Sequence, residues 1–168
     1  YMDLGTCVIE ESETEDVDWI NNWKQYFKPF TVDDDILIKP TWEEIPAGME
    51  DKLVIEIDPG TAFGSGSHET TQLCIRQLKK YVNAESRVLD VGTGSGILGI
   101  AALKLGADAV FATDLDENAI AASTENVGVN QISTEKFQVV LGNIIDDKTI
   151  KDRAGYECYD IVVANILA

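Results

Sequence analysis

From Arg87 onward the chain alternates short runs of Val, Ile and Leu with stretches of helical length, and this alternation most constrains what the chain can fold into. Strands are expected near 87–91, 109–113, 136–141 and 159–164, with helices near 96–105, 117–127 and 147–153. Strands rich in branched apolar residues, each followed by a helix, need cover on both faces, which a parallel sheet with helices on either side supplies. The predicted class is α/β, a doubly wound, mostly parallel sheet of Rossmann-like type. Gly106 and Gly128 stand where helix C-terminal glycines belong.

The first strand of the array runs into Val88-Leu-Asp90-Val-Gly92-Thr-Gly94-Ser-Gly96, and a helix starts at Ile97. Glycine at alternate positions lets the backbone turn tightly and approach a ligand, and the helix start beyond it offers unpaired N–H groups. The next strand delivers Asp114 to its carboxyl end, where a carboxylate can accept the hydroxyls of a ribose. Two ligand classes compete for such a cradle. Gly94-Ser-Gly96-Ile-Leu-Gly99 satisfies the dinucleotide pattern, with Asp114 twenty residues on. That frame leaves Asp90, Gly92 and Thr93 inside the strand, and an acidic residue works against an anionic pyrophosphate. The frame Asp90-x-Gly92-x-Gly94-x-Gly96 instead matches the loop of S-adenosylmethionine methyltransferases, whose cationic ligand suits an acidic residue.

Upstream, Trp19, Trp23 and Phe27 are spaced four apart, which predicts a helix with one aromatic face docked on a core and ended by Pro29. Ile36–Lys39 and Leu53–Ile57 read as an antiparallel strand pair. The stretch from Asp58 to Thr71, with Gly60, Gly64 and Gly66, reads as a loop, and Ser67 is the predicted N-cap of a helix carrying Leu73, Leu78 and Val82. Asp116 is better placed than Asp114 to cap the helix that begins at Glu117.

At 168 residues the chain is the size of one domain, able to bury a core without disulfides or metal. Thirteen Lys and Arg against 30 Asp and Glu give a net charge of −17, which disfavours direct nucleic-acid binding and attracts a basic protein partner. Cys7, Cys74 and Cys158 are widely spaced and His68 is the only histidine, so neither a disulfide framework nor a zinc or multi-histidine metal site is expected. No run of about 18 apolar residues and no targeting pattern is present, and the expected location is cytoplasmic, away from membranes.

Several longer motifs are more specific than the glycine loop. They are Trp19-x-x-x-Trp23-Lys-x-x-Phe27-x-Pro29, Ile38-x-Pro40-x-Trp42-Glu, Asp58-Pro-Gly-x-Ala-Phe63-Gly64-x-Gly66-x-His68-x-Thr70-Thr71, Leu89-Asp-Val-Gly-x-Gly-Ser-Gly-Ile-Leu and Ala164-Asn165-Ile-Leu-Ala. Together they resemble the PrmA-type methyltransferases that modify large-subunit ribosomal protein eleven. The resemblance implies transfer of methyl groups from S-adenosyl-L-methionine to lysine side chains and the N-terminal amine of that basic protein. By position, it implies that Phe63, Gly64, Gly66, His68 and Thr70 close over the methionine end of the cofactor, with Gly92 and Gly94 beneath. It places Asp114 on the ribose, Asn143 near the adenine and Asn165 against the acceptor amine.

The same resemblance implies a division into residues 1–15 as the remnant of an N-terminal recognition domain, 16–66 as a linker helix and β-hairpin, and 67–168 as a catalytic domain. That domain would lack its last strands, including an antiparallel edge strand. The oligomeric state is left open, as are another amine substrate, a nicotinamide-dependent oxidoreductase and a non-catalytic nucleoside-binding module.

Overall fold

A computed structural model describes residues 23–58 and 65–166. Strands β4 (Arg87–Val91), β5 (Ala109–Asp114), β6 (Phe137–Leu141) and β7 (Ile161–Ala164) form one sheet in the order β6-β5-β4-β7, with every neighbouring pair parallel. The chain winds outward from β4 to β6 and then returns to the other side of β4, so the sheet is doubly wound with its switch point between β4 and β7. Among the described residues, no helix is long and apolar enough to cross a membrane.

Helix α1 (Glu69–Tyr81) packs against α2 (Ile97–Lys104), and α3 (Glu117–Val129) lies against β5 and β6. Every residue of α2 from Ile97 to Ala102 is buried, because this helix is apolar on all sides and lies between the sheet and the elements above it. A side chain at Gly99 would strike the Phe137 ring at 2.6 Å and Val110 at 2.9 Å, so glycine lets α2 settle onto the sheet. Val88, Val110, Ala112 and Val163 supply this face. Alternate residues Leu89, Phe111 and Val140 supply the opposite face, which Ile150 and Ala154 of α4 (Lys148–Ala154) cover.

A second sheet, β1 (Phe30–Val32), β2 (Ile36–Pro40) and β3 (Leu53–Ile57), packs on α2 and α3. Here the structure corrects the expected antiparallel pair: β2 and β3 run parallel, and the antiparallel partner of β2 is the short β1. Asp33, at φ +52, makes the tight β1–β2 turn. Residues 41–52 carry the chain back along β2, which is the dozen or so residues a parallel connection needs. Lys39 lies opposite Glu56 in that register and is 5% exposed; its ammonium pairs with Glu56 Oε2 at 3.0 Å and donates to Glu43 O at 2.9 Å.

Of the expected aromatic helix, Trp19 lies outside the described residues, and Trp23–Tyr26 form one 3₁₀ turn. Phe27 is buried and meets Trp42 edge-on at 6.0 Å. Residues 1–15 also lie outside the description. Helix ends differ in two places from expectation. His68, not Ser67, caps α1, because its Nδ1 accepts from the Thr70 amide. Gly128 lies inside α3; the turn-off falls at Gln131, φ +58, whose N–H donates to Gly128 O while Ile132 N–H donates to Val127 O. Gly106 does end α2 as expected, at φ +107.

Candidate functional site

Strand β4 ends at Val91, and the chain turns through Gly92, Gly94 and Gly96 with φ of +73°, +55° and +86°. These angles belong to the left-handed region that glycine enters at little cost. The amides of Gly92 and Thr93 both donate to Thr113 O, at 2.8 and 3.1 Å, and Gly96 N–H donates to Thr93 O at 2.9 Å. The loop is thereby pinned to the end of β5. A Cβ at Gly92 would collide with Ile166. Gly96, at the start of α2, approaches Ser123 of α3 and does not reach the cavity wall, so its role is packing.

The loop forms one wall of a cavity of about 600 Å³ at the carboxyl ends of β4, β5, β6 and β7, the position a doubly wound sheet reserves for ligands. Asp114 lines it. Its Oδ2 accepts from Gly94 N–H at 2.8 Å, and its Oδ1 accepts from Leu115 N–H at 2.7 Å and Asp116 N–H at 3.1 Å. Of roughly four lone-pair sites on a carboxylate, one on Oδ2 is left for a ligand. Asp116 caps α3, accepting from Asn118 N–H at 2.9 Å.

His68, Thr70 and Thr71, at the start of α1, also line the cavity. His68 Nδ1 and Thr70 Oγ1 are 2.8 Å apart. Asn165 follows β7 and donates through Nδ2 to Thr71 Oγ1 at 3.0 Å, which leaves its carbonyl oxygen as the acceptor available to a ligand. Asn143 follows β6 and also lines the cavity, but its side chain is bound in its own turn: Oδ1 accepts from Ile145 N–H at 2.8 Å and Nδ2 donates to Asp146 Oδ2 at 3.0 Å.

A family model described as ribosomal protein L11 methyltransferase (PrmA) matches residues 2–168. The chain belongs to the PrmA family. It is 60% identical over 168 residues to the ribosomal protein L11 methyltransferase of Lachnospira eligens, covering all of this chain and 52% of that one. To the protein of that name from Agathobacter rectalis it is 56% identical over 170 residues, covering 99% of this chain and 52% of the relative. A crystal structure of ribosomal protein L11 methylase from Lactobacillus delbrueckii subsp. bulgaricus superposes with a TM-score of 0.71 at 36% identity, over 84% of this chain and 68% of that one. The chain spans about half the length of the curated relatives it matches.

Family membership removes the dinucleotide alternative, and β4 ends where the methyltransferase frame requires. Asp90, whose charge suits a cationic ligand, does not line the cavity. It is 1% exposed behind the loop, where Oδ2 accepts from Thr93 Oγ1 at 2.7 Å and from Gly99 N–H at 3.1 Å, while Oδ1 has no partner. Burial pushes its carboxyl up from the ordinary 3.8 to about 6, against the lowering effect of those two bonds and aided by the nearby Asp114 charge. Gly66 is likewise not on the wall, because it packs its backbone on Ile97 and Ile38. Phe63 and Gly64 lie outside the described residues. Sequence reading missed the apolar wall: Leu115, Ile145 and Ile166 line the cavity yet are 72%, 67% and 57% exposed. Each sits one or two positions after a polar residue at or just past the end of a strand (Asp114, Asn143 and Asn165), which was the available signal.

Proposed function

We propose that this chain carries the cofactor site and the methyl-transfer centre of an S-adenosylmethionine-dependent enzyme that methylates lysine and N-terminal amines of ribosomal protein L11. The observation that carries the reading is one cavity lined together by Gly92, Gly94, Asp114 and Asn165. Its residues fit the cofactor. Asp114 keeps one acceptor site on Oδ2 for a ribose hydroxyl, and accepting both hydroxyls would require Gly94 N–H to let go. Leu115 and Ile145 offer apolar surface to a flat purine beside that carboxylate. The buried carboxyl of Asp90 puts negative potential behind the loop, which favours a cation in front of it.

When bound, S-adenosylmethionine supplies an electrophilic methyl group. The protein's part is to hold a neutral amine in line and exclude water. A lysine with an ordinary pKa of about 10.4 costs roughly 4–5 kcal/mol to deprotonate at pH 7, and an apolar site near a positive charge lowers that cost. Asn165 accepts a hydrogen from the amine through its carbonyl, while its Nδ2 is held by Thr71 Oγ1. This is orientation, not proton abstraction. The net charge of −17 suits a basic substrate protein held by surface attraction.

The test is single-turnover transfer of labelled methyl groups to ribosomal protein L11. Asn165→Ala is expected to slow transfer at least tenfold while leaving S-adenosylhomocysteine affinity within about twofold. Full activity in that variant would remove Asn165 from the reaction.

A further inference from the structure

Asn126 on α3 and Asn130, one turn on at the helix C-cap, are 1% and 5% exposed, and both treat the edge of β3 as a neighbouring strand would. Asn130 Oδ1 accepts from Glu56 N–H at 3.1 Å and its Nδ2 donates to Glu56 O at 2.7 Å. Asn126 Oδ1 accepts from Asp58 N–H at 2.8 Å and its Nδ2 donates to Asp58 O at 3.0 Å. The spacing works because four helical residues rise about 6.0 Å and two strand residues about 6.6 Å. The two amides differ in their last hydrogen. Asn130 Nδ2 gives it to the backbone of its own helix, at Asn126 O, 2.8 Å away. Asn126 Nδ2 gives it to Ser95 O at 2.9 Å, inside the glycine loop, where Ser95 is fully buried.

We propose that Asn126 is a positioning residue for the cofactor site, locking the glycine loop to the end of β3 through one buried amide. The role deepens the methyltransferase reading and rests on it for its consequence in binding. Gly92 and Gly94 face the cavity on one side of the turn, and Ser95 is held from the other. A loop with three left-handed glycines has wide conformational freedom unless something fixes it. Bonds to Thr113 and Asp114 pin Gly92 to Gly94 to the end of β5, and Asn126 adds a restraint at Ser95 from the side of β3 before any ligand arrives, so less ordering is left to be done on binding. Asn130 makes the same clamp on β3 without touching the loop, and is the internal control.

The experiment compares the intact protein with Asn126→Ala and Asn130→Ala in three measurements: melting temperature, amide hydrogen exchange of residues 94–97 without ligand, and S-adenosylhomocysteine titration. Both variants are expected to lose similar thermal stability. Only Asn126→Ala is expected to speed exchange of the loop amides, by at least tenfold, and to weaken S-adenosylhomocysteine at least tenfold. Equal loop exchange in the two variants would overturn the proposal and leave Asn126 a strand clamp. Should Asn126→Ala not fold, Asn126→Asp keeps the acceptor for Asp58 N–H and loses the bonds donated to both Asp58 O and Ser95 O, and is compared with Asn130→Asp, which loses the bonds donated to Glu56 O and Asn126 O, with the same two outcomes. If the unmodified protein fails to bind S-adenosylhomocysteine, the cofactor reading falls, while loop exchange still decides the role of Asn126.

Discussion

The front and the back of the glycine loop each present a carboxylate, and the two are held in opposite ways. Asp114, in front, accepts three backbone amides and stays at the cavity wall. Asp90, behind, is fully enclosed with one oxygen unpartnered, and burial raises its carboxyl to about 6. The front is built from satisfied bonds that hold shape, whereas the back carries a charge at the expense of stability. Such costs concentrate where a protein binds or reacts.

The largest expected effect comes from closing the front. Gly92→Ala places a side chain at φ +73 against Ile166, which combines left-handed strain of about 1–2 kcal/mol with overpacking of about 1–3 kcal/mol. Titration calorimetry should show S-adenosylhomocysteine binding weakened at least a hundredfold. Affinity within threefold of the parent would mean that the loop does not face the ligand as described.

Next comes the back. Between pH 3.8 and about 6 native Asp90 keeps a proton that the unfolded chain has lost, so its contribution makes stability fall as pH rises through that window and level off above it. At neutral pH the cost is about 3 kcal/mol, from a shift of roughly two units at 1.36 kcal/mol each. Asp90→Asn should therefore be more stable than the parent at pH 7, with the advantage shrinking toward pH 4. Denaturant unfolding at pH 4, 5, 6 and 7 checks this, and a stability difference that does not change with pH would contradict it.

Asp114→Ala removes three accepted hydrogen bonds and the remaining lone pair offered to the ligand, and is expected to cost about 1–3 kcal/mol in S-adenosylhomocysteine affinity. A change confined to melting temperature would reduce Asp114 to a loop staple. The smallest effect belongs to His68→Ala, which loses the cap of α1 and should cost about 0.5–2 kcal/mol of stability.

The contrast between loop front and back was half legible in the sequence. The glycine spacing, the strand ends and Asp114 follow from hydrophobic runs and turn residues, which are local signals. The burial of Asp90 follows from parity: it lies two residues from Val88 on the same face of β4, and Val88 is core. The direction of β3 was not legible from its apolar residues, because periodicity carries no sense of direction. The length of 41–52 was the clue, being long for a hairpin and right for a parallel return. Asn126 and Asn130 gave no local signal at all. Their bonds span 68 and 74 positions and exist only once the second sheet has packed on α3.

Whether the cavity at the ends of β4 to β7 is a cofactor site is decided by titration calorimetry with S-adenosylhomocysteine, combined with amide chemical-shift mapping. The expected result is one site per chain, competition by S-adenosylmethionine, no response to nicotinamide dinucleotide, and amide chemical-shift changes centred on Gly92, Gly94, Asp114 and Leu115. Absence of binding, or shift changes at residues remote from that loop, would contradict it.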